Sequence, residues 1–246
     1  MNVVKAAWSR MASEAKRRTR AAGASSPSVG WAFLASAIVL ALWAVDAPLG
    51  PVQAWLVGLH EFFHALAAIA TGGSVELIQT SADSGGSTIS RGGFYPVMSM
   101  AGYVGTGALG ALCLRSCGSA WARLALMAAC AGLALALVFL TRGAWAGALQ
   151  ALAVDVAVFL LVKSRVGALA TGFCGALLLS MGLTDARVLL IEATSKTDAG
   201  LLADWLGAPW MAWPIALGYV AAMAALWIWA LWGLARDARN ALAGKA

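Results

Sequence analysis

The chain has 246 residues, of which 61% are hydrophobic and only 11% are charged, and its mean hydropathy is +0.80. This composition excludes an ordinary soluble domain of this length and indicates an integral membrane protein. The formal net charge of +6 does not indicate a nucleic-acid partner, because six of the 17 basic residues precede Ser25. Basic residues before a first span favour the cytoplasmic side, so we expect an inner-membrane protein with a cytoplasmic N-terminus.

Seven apolar runs approach the roughly 20 residues that a helix needs to cross a hydrocarbon core of about 30 Å. They predict an all-α polytopic membrane protein with six to seven transmembrane helices near Trp31–Asp46, Pro51–Ala70, Phe94–Leu114, Ala120–Leu140, Ala144–Val162, Gly167–Leu183 and Pro209–Leu234. Residues 1–28 then form a basic N-terminal segment, residues 29–236 the transmembrane domain and residues 237–246 a polar tail. The number of spans stays open, because seven spans and a cytoplasmic N-terminus would place Arg115, Arg123 and Arg236 outside.

The second apolar run contains His60-Glu61-Phe62-Phe63-His64, with both histidines of the protein. On a helix, residues four apart lie on one face, so His60 and His64 can bind one ion while Glu61 lies beside them. This is the zinc metallopeptidase pattern, in which the glutamate is the general base. The alternative is that the three side chains only form hydrogen bonds between helices. Ionisable groups in a span are costly to bury, which favours the functional interpretation.

After this helix the pattern becomes extended. Val75–Thr80 is rich in strand-forming residues, residues 83–86 are typical of a turn, and Ser87–Ser90 resumes the pattern. We therefore predict a small β-hairpin over residues 74–91 at the membrane surface, with a surface loop as the alternative. The next span contains many small residues between Gly102 and Gly110, which allow close helix packing in lipid. We expect it to pack directly against the histidine helix.

Three aspartates are candidates for a further metal ligand. Asp155 lies in an apolar run, Asp185 lies at the end of one, and Asp198 lies in a predicted polar loop over residues 184–208. The four cysteines, Cys113, Cys117, Cys130 and Cys174, lie in or beside apolar helices. The spacing of the first two could suit a metal, but without a second pair we interpret all four as buried small hydrophobic residues.

Several short motifs follow one another between about residues 55 and 215: Leu59–Leu66, Thr71-Gly72-Gly73, Arg91-Gly92-Gly93, Ala101-Gly102-Tyr103, Thr184-Asp185-Ala186, and Thr197-Asp198-Ala199 to Pro209-Trp210. In this order they resemble the site-two protease family of intramembrane zinc metallopeptidases, in its small bacterial branch without a PDZ domain. The resemblance implies that His60, His64 and a later aspartate bind zinc and that Glu61 is the catalytic base. The Asp-Gly motif of better-known members is absent, and Asp185 is the predicted third ligand, ahead of Asp155 and Asp198.

The sequence thus predicts a zinc peptidase that cleaves a membrane-protein substrate in or near the bilayer. One edge of the hairpin, either Val75–Thr80 or Thr88–Ser90, would bind the unwound substrate by backbone pairing, and the candidate residues are Val75, Leu77, Ile78 and Ile89. A non-proteolytic membrane scaffold that retains the protease fold is the main alternative. A transporter is disfavoured, since neither inverted repeats nor several intramembrane charges are evident.

Overall fold

A computed structural model describes residues 26–45, 51–80, 85–140, 166–191 and 197–243, and scattered positions between 149 and 161. The described part is mostly helical. Its helices are α1 (Ser26–Ala44), α2 (Pro51–Ala70), α3 (Tyr95–Ser116), α4 (Ala120–Leu140), α5 (Gly167–Ile191), α6 (Asp198–Trp205) and α7 (Ala212–Ala243), and its two strands are β1 (Ser74–Thr80) and β2 (Gly86–Arg91). A short 3-10 turn, Pro209–Met211, precedes α7.

Three helical stretches among the described residues are long and apolar enough to cross a membrane: Val52–Ala70, Tyr95–Ser116 and Pro209–Asn240. Shorter apolar stretches lie in α1, α4 and α5. The predicted span at Ala144–Val162 is described only at scattered positions. The fold is therefore that of a helical membrane protein, and the full number of spans stays a prediction.

Helix α3 lies at the centre of the bundle and packs against α2, α5 and α7. Its glycines allow these contacts. A Cβ atom added to Gly105 would overlap the ring of Phe63 on α2, and one added to Gly110 would lie 2.6 Å from the carbonyl oxygen of Gly175 on α5. The prediction that the glycine-rich span packs directly against the histidine helix is confirmed.

The predicted hairpin is present, and its two strands are antiparallel. Ser74 pairs with Arg91 and Thr80 with Gly86, and a β-bulge at Glu76 shifts the register between Val75 and Leu77. The strands are also linked by an exposed ion pair between Glu76 and Arg91.

The hairpin lies alongside α2. Ile78 is fully buried in a cluster with Ala65 and Phe62, and a Cβ atom on Gly86 would meet the side chains of Val57 and Glu61. An isolated two-stranded hairpin is marginal in water, and here packing on a helix supplies the missing burial. The hairpin lies beside a helix that is apolar enough to span the membrane, and its position at the membrane surface stays a prediction.

Glycines close the base of the hairpin. Gly92 and Gly93 have φ angles of 69° and 82°, which side chains rarely adopt. A Cβ atom on Gly73 would lie 2.8 Å from backbone atoms of Gly92 and Gly93. The pairs Gly72-Gly73 and Gly92-Gly93 therefore lie side by side, so the chain enters the hairpin from α2 and leaves it toward α3 at the same place.

Two predicted boundaries differ from the structure. The expected polar loop over residues 184–208 contains the last turns of α5 and the whole of α6. Helix α7 continues to Ala243, so residues 237–243 of the predicted polar tail are helical. In the tail, polar residues such as Arg239 and Asn240 lie on exposed helix surface.

Candidate metal centre

Helix α2 places three polar side chains in the packed interior. His60, Glu61 and His64 are each less than a tenth exposed. The two histidines lie one turn apart, and their Nε2 atoms are 2.9 Å from each other. This is the common face that the i, i+4 spacing predicts.

Helix α6 supplies a carboxylate to this pair. Asp198 Oδ2 lies 2.8 Å from His60 Nε2 and 3.2 Å from His64 Nε2. Asp198 is the first residue of α6, and the hydroxyl oxygen of Thr197 caps that helix by accepting a hydrogen bond from the backbone N–H of Gly200 at 3.1 Å. The cap fixes where the helix begins and so where the aspartate is presented.

Among the described residues, His60, His64 and Asp198 are the only group of at least three His, Cys, Asp or Glu side chains whose ligand atoms lie within 4.8 Å of one another. The sequence ranked Asp185 ahead of Asp198. The side chain of Asp185 and the whole of Asp155 lie outside the described residues. The structure thus brings to the histidines the aspartate that we had ranked as an alternative.

The donor set fits a catalytic zinc ion, which takes imidazole nitrogen and carboxylate oxygen ligands and keeps one position open. The surroundings fit as well. A Cβ atom on Gly102 would lie 2.5 Å from both Nε2 atoms, so only a glycine leaves room beside the donors. His64 Nδ1 donates to the carbonyl oxygen of Met98 at 2.6 Å, which leaves its Nε2 lone pair for a metal.

The electrostatics favour an ionised aspartate. Burial works to raise the pKa of Asp198, but the close approach of the His60 and His64 rings outweighs it and lowers the pKa below its ordinary value. About a quarter of the Asp198 side chain is exposed, more than of either histidine. The carboxylate can therefore serve as an anionic ligand on the most open side of the group.

The Glu61 side chain contacts the hairpin. Thr88 Oγ1 lies 2.7 Å from Glu61 Oε2 and 2.9 Å from the Glu61 backbone oxygen. The hydroxyl has one hydrogen, so it bonds to one of the two oxygens at a time. Thr88 is not recognisable as a site residue from the sequence, because nothing in a strand pattern shows which threonine will face a buried carboxylate.

The four cysteines are free and buried, as predicted. The Cys117 thiol donates to the carbonyl oxygen of Ala168 at 3.3 Å, a contact between the end of α3 and the start of α5. In the part of the chain that the structure describes, these thiols do not form a converging metal group. Their interpretation as small packing residues is consistent with this arrangement.

Comparison with known proteins gives one match. A family model described as Peptidase M50B-like matches residues 33–231, which is well over half of the chain. The matched range contains both histidines, Glu61, the hairpin and Asp198. Searches of curated proteins and of solved structures found no match.

Proposed function

Since the chain belongs to the Peptidase M50B-like family, we propose that it is an intramembrane zinc metallopeptidase that cleaves a peptide bond of a membrane-protein substrate in or near the bilayer. The family match confirms the resemblance to site-two proteases. The observation that carries the proposal is the convergence of His60, His64 and Asp198, with Glu61 on the same helix as the two histidines. We assign the three converging residues as zinc ligands, with Asp198 replacing Asp185 as the third.

Zinc held there would supply Lewis-acid chemistry, polarising a carbonyl and making a water molecule more acidic. Glu61 would accept the proton of the attacking water and then donate it to the amine of the leaving peptide. Thr88 holds the Glu61 carboxylate in place, and its alternative acceptor, the Glu61 backbone oxygen, lets it release that carboxylate when the proton arrives. The buried surroundings limit competing bulk water.

A substrate must present an extended peptide bond, since a helix hides its backbone groups. Strand β2 is suited to bind it, because Thr88 and Gly86 lie against Glu61. Among the described residues each strand pairs only with the other, so an outer edge stays open to backbone pairing. Of the residues predicted at the substrate edge, Ile89 lies on β2 and is exposed. The other three lie on β1, where Val75 and Leu77 are partly buried and Ile78 is fully buried against α2.

The proposed peptidase activity is tested with Glu61→Gln. An amide cannot take a proton from water, so this variant should retain zinc and lose hydrolysis of a transmembrane substrate. Glu76→Gln, the same change on the exposed side of the hairpin, is the matched control and should retain activity. Wild-type cleavage by Glu61→Gln would remove the general-base role and favour the scaffold alternative.

The hairpin edge is tested by cross-linking. All native cysteines are buried, so a thiol introduced at exposed Ser87 would be the one accessible to a thiol-directed photo-cross-linker. Ser87→Cys should cross-link to the substrate near the scissile bond, while Ser119→Cys, at the turn between α3 and α4, should not. Equal cross-linking from both positions would argue against substrate binding along β2.

A further inference from the structure

A chain of hydroxyl groups links the start of α6 to α3 and α7. Ser99 Oγ lies 3.1 Å from the backbone carbonyl oxygen of Asp198 and 3.2 Å from Tyr219 Oη. A carbonyl oxygen can only accept, so Ser99 uses its single hydrogen on Asp198. Its oxygen then accepts from Tyr219. The order of donation is Tyr219 to Ser99 to Asp198.

The hydrogen bonds of Ser99 with Asp198 and Tyr219 are costly to break because both hydroxyl groups are buried. Ser99 and Tyr219 are only 4% and 5% exposed. A buried hydroxyl group that loses its partner stays desolvated, so such pairs are costly to separate. The backbone of Asp198 is therefore held to α3 by a contact that water does not easily replace.

Tyr219 is also linked to His60 through the ring of Tyr103. The ring of Tyr219 stacks on Tyr103 at 4.8 Å, and Tyr103 meets the ring of His60 edge-on at 4.6 Å. His64 is oriented by its hydrogen bond to Met98, but His60 Nδ1 is buried with no hydrogen-bond partner among the described residues. The ring contact with Tyr103 therefore helps to orient His60, together with the contacts of its Nε2 atom with Asp198 and His64.

Ala199 and Ala203 pack α6 into the core, and the hydroxyl chain adds a directional contact at Asp198 itself. Asp198 begins a helix of eight residues and lies 134 positions after His64. The Thr197 cap fixes the start of α6 but does not attach it to α3. A metal site needs its ligands held to within about 0.5 Å by supporting contacts. The hydroxyl chain is such a contact.

We propose that Tyr219 and Ser99 are positioning residues that hold Asp198 in register with His60 and His64 and thereby raise the zinc affinity of the centre. This proposal rests on the proposed zinc site. Helix α7 supplies none of the three ligands, but through Tyr219 it would contribute to metal binding. The hydroxyl chain fixes the aspartate and the stacked rings help to orient one histidine.

The test is zinc affinity, measured by competition with a chelator on the full-length protein in detergent. Tyr219→Phe keeps the stacked ring and removes the donor, and Ser99→Ala removes the link itself. Each should weaken zinc binding roughly 10-fold, the lower end for loss of an outer-shell partner. The double variant should bind no more weakly than Ser99→Ala, because both changes break one chain.

Ser116→Ala is the matched control. Ser116 lies on the same helix, is equally buried and donates to the carbonyl oxygen of Cys113 at 2.8 Å, and its loss should leave zinc affinity unchanged. The second readout is the rise in melting temperature that zinc produces. A positioning role lowers this rise in Tyr219→Phe and Ser99→Ala, whereas a merely structural role lowers the melting temperature with and without zinc alike.

The outcomes separate the two proposals. Wild-type zinc affinity in Tyr219→Phe and Ser99→Ala, or an equal loss in Ser116→Ala, would overturn the positioning role and leave the zinc site intact. Absence of zinc binding by the wild-type protein would overturn the proposed function itself, and the positioning role with it.

Discussion

The two halves of α3 use small residues for different purposes. In the first half, Gly102 makes room for the rings of His60 and His64. In the second half, Gly110 makes room for the backbone of Gly175 on α5. Both glycines bring α3 close to a neighbouring helix, as packing in lipid requires. The comparison shows that the same feature in the sequence can belong to a reactive centre or to packing alone, according to what it faces.

The largest expected effect is on zinc affinity and comes from Asp198, the proposed ligand that contacts the first half of α3 through Ser99. Asp198→Asn should lower zinc affinity by more than the roughly 10–100-fold typical of an outer-shell change, because it removes an anionic donor. Asp185→Asn should leave zinc content near that of the wild type. Elemental analysis of both purified variants makes the measurement. The reverse result would move the third ligand to α5.

An intermediate effect is expected from adding one methyl group to each half. Gly102→Ala would place a Cβ atom 2.5 Å from both Nε2 atoms and should abolish or strongly weaken zinc binding. Gly110→Ala would meet the Gly175 carbonyl oxygen at 2.6 Å and should destabilise the fold by about 1–3 kcal/mol through overpacking. Its zinc affinity should stay unchanged in the folded fraction. Zinc titration together with thermal unfolding separates the two effects, and equal zinc loss in both variants would contradict the division.

The smallest effect is expected at the far end of the second half. There Arg115 pairs with Asp237 at 2.7 Å and lies over the ring of Trp229 at 5.8 Å. Both charged groups are partly exposed, so Arg115→Gln should cost about 1 kcal/mol or less. Zinc content and peptide hydrolysis should not change. A loss of zinc in this variant would mean that the two ends of α3 are coupled.

Local sequence rules predicted the parts of the centre that depend on one element. The spacing of His60 and His64 fixes their common helix face, and the glycines from Gly102 onward predict close packing against the histidine helix. Strand-forming residues and turn residues predicted the hairpin. Each of these features is determined within about 20 residues, so periodicity and composition were sufficient.

The rest depends on contacts between distant segments. No local pattern brings Asp198 close to His64, which lies 134 positions earlier. The only local sign is Thr197, a favoured residue for starting a helix.

The burial of Ile78 was also not evident from the sequence. The bulge at Glu76 interrupts the alternation of the two faces along β1, and Ile78 is fully buried whereas Val75 and Leu77 are partly exposed. Sequence alone showed neither this register shift nor the burial of Ile78, and the substrate edge itself stays a prediction.

X-ray absorption at the zinc edge of the purified wild-type protein tests the central claim most directly. The account predicts about one zinc per chain with nitrogen and oxygen ligands at roughly 2.0–2.2 Å, including two imidazoles, and no sulfur. His64→Phe should lose this signal. Zinc–sulfur distances near 2.3 Å, which would assign the metal to the buried cysteines, or an unchanged spectrum in His64→Phe, would contradict a centre built from His60, His64 and Asp198.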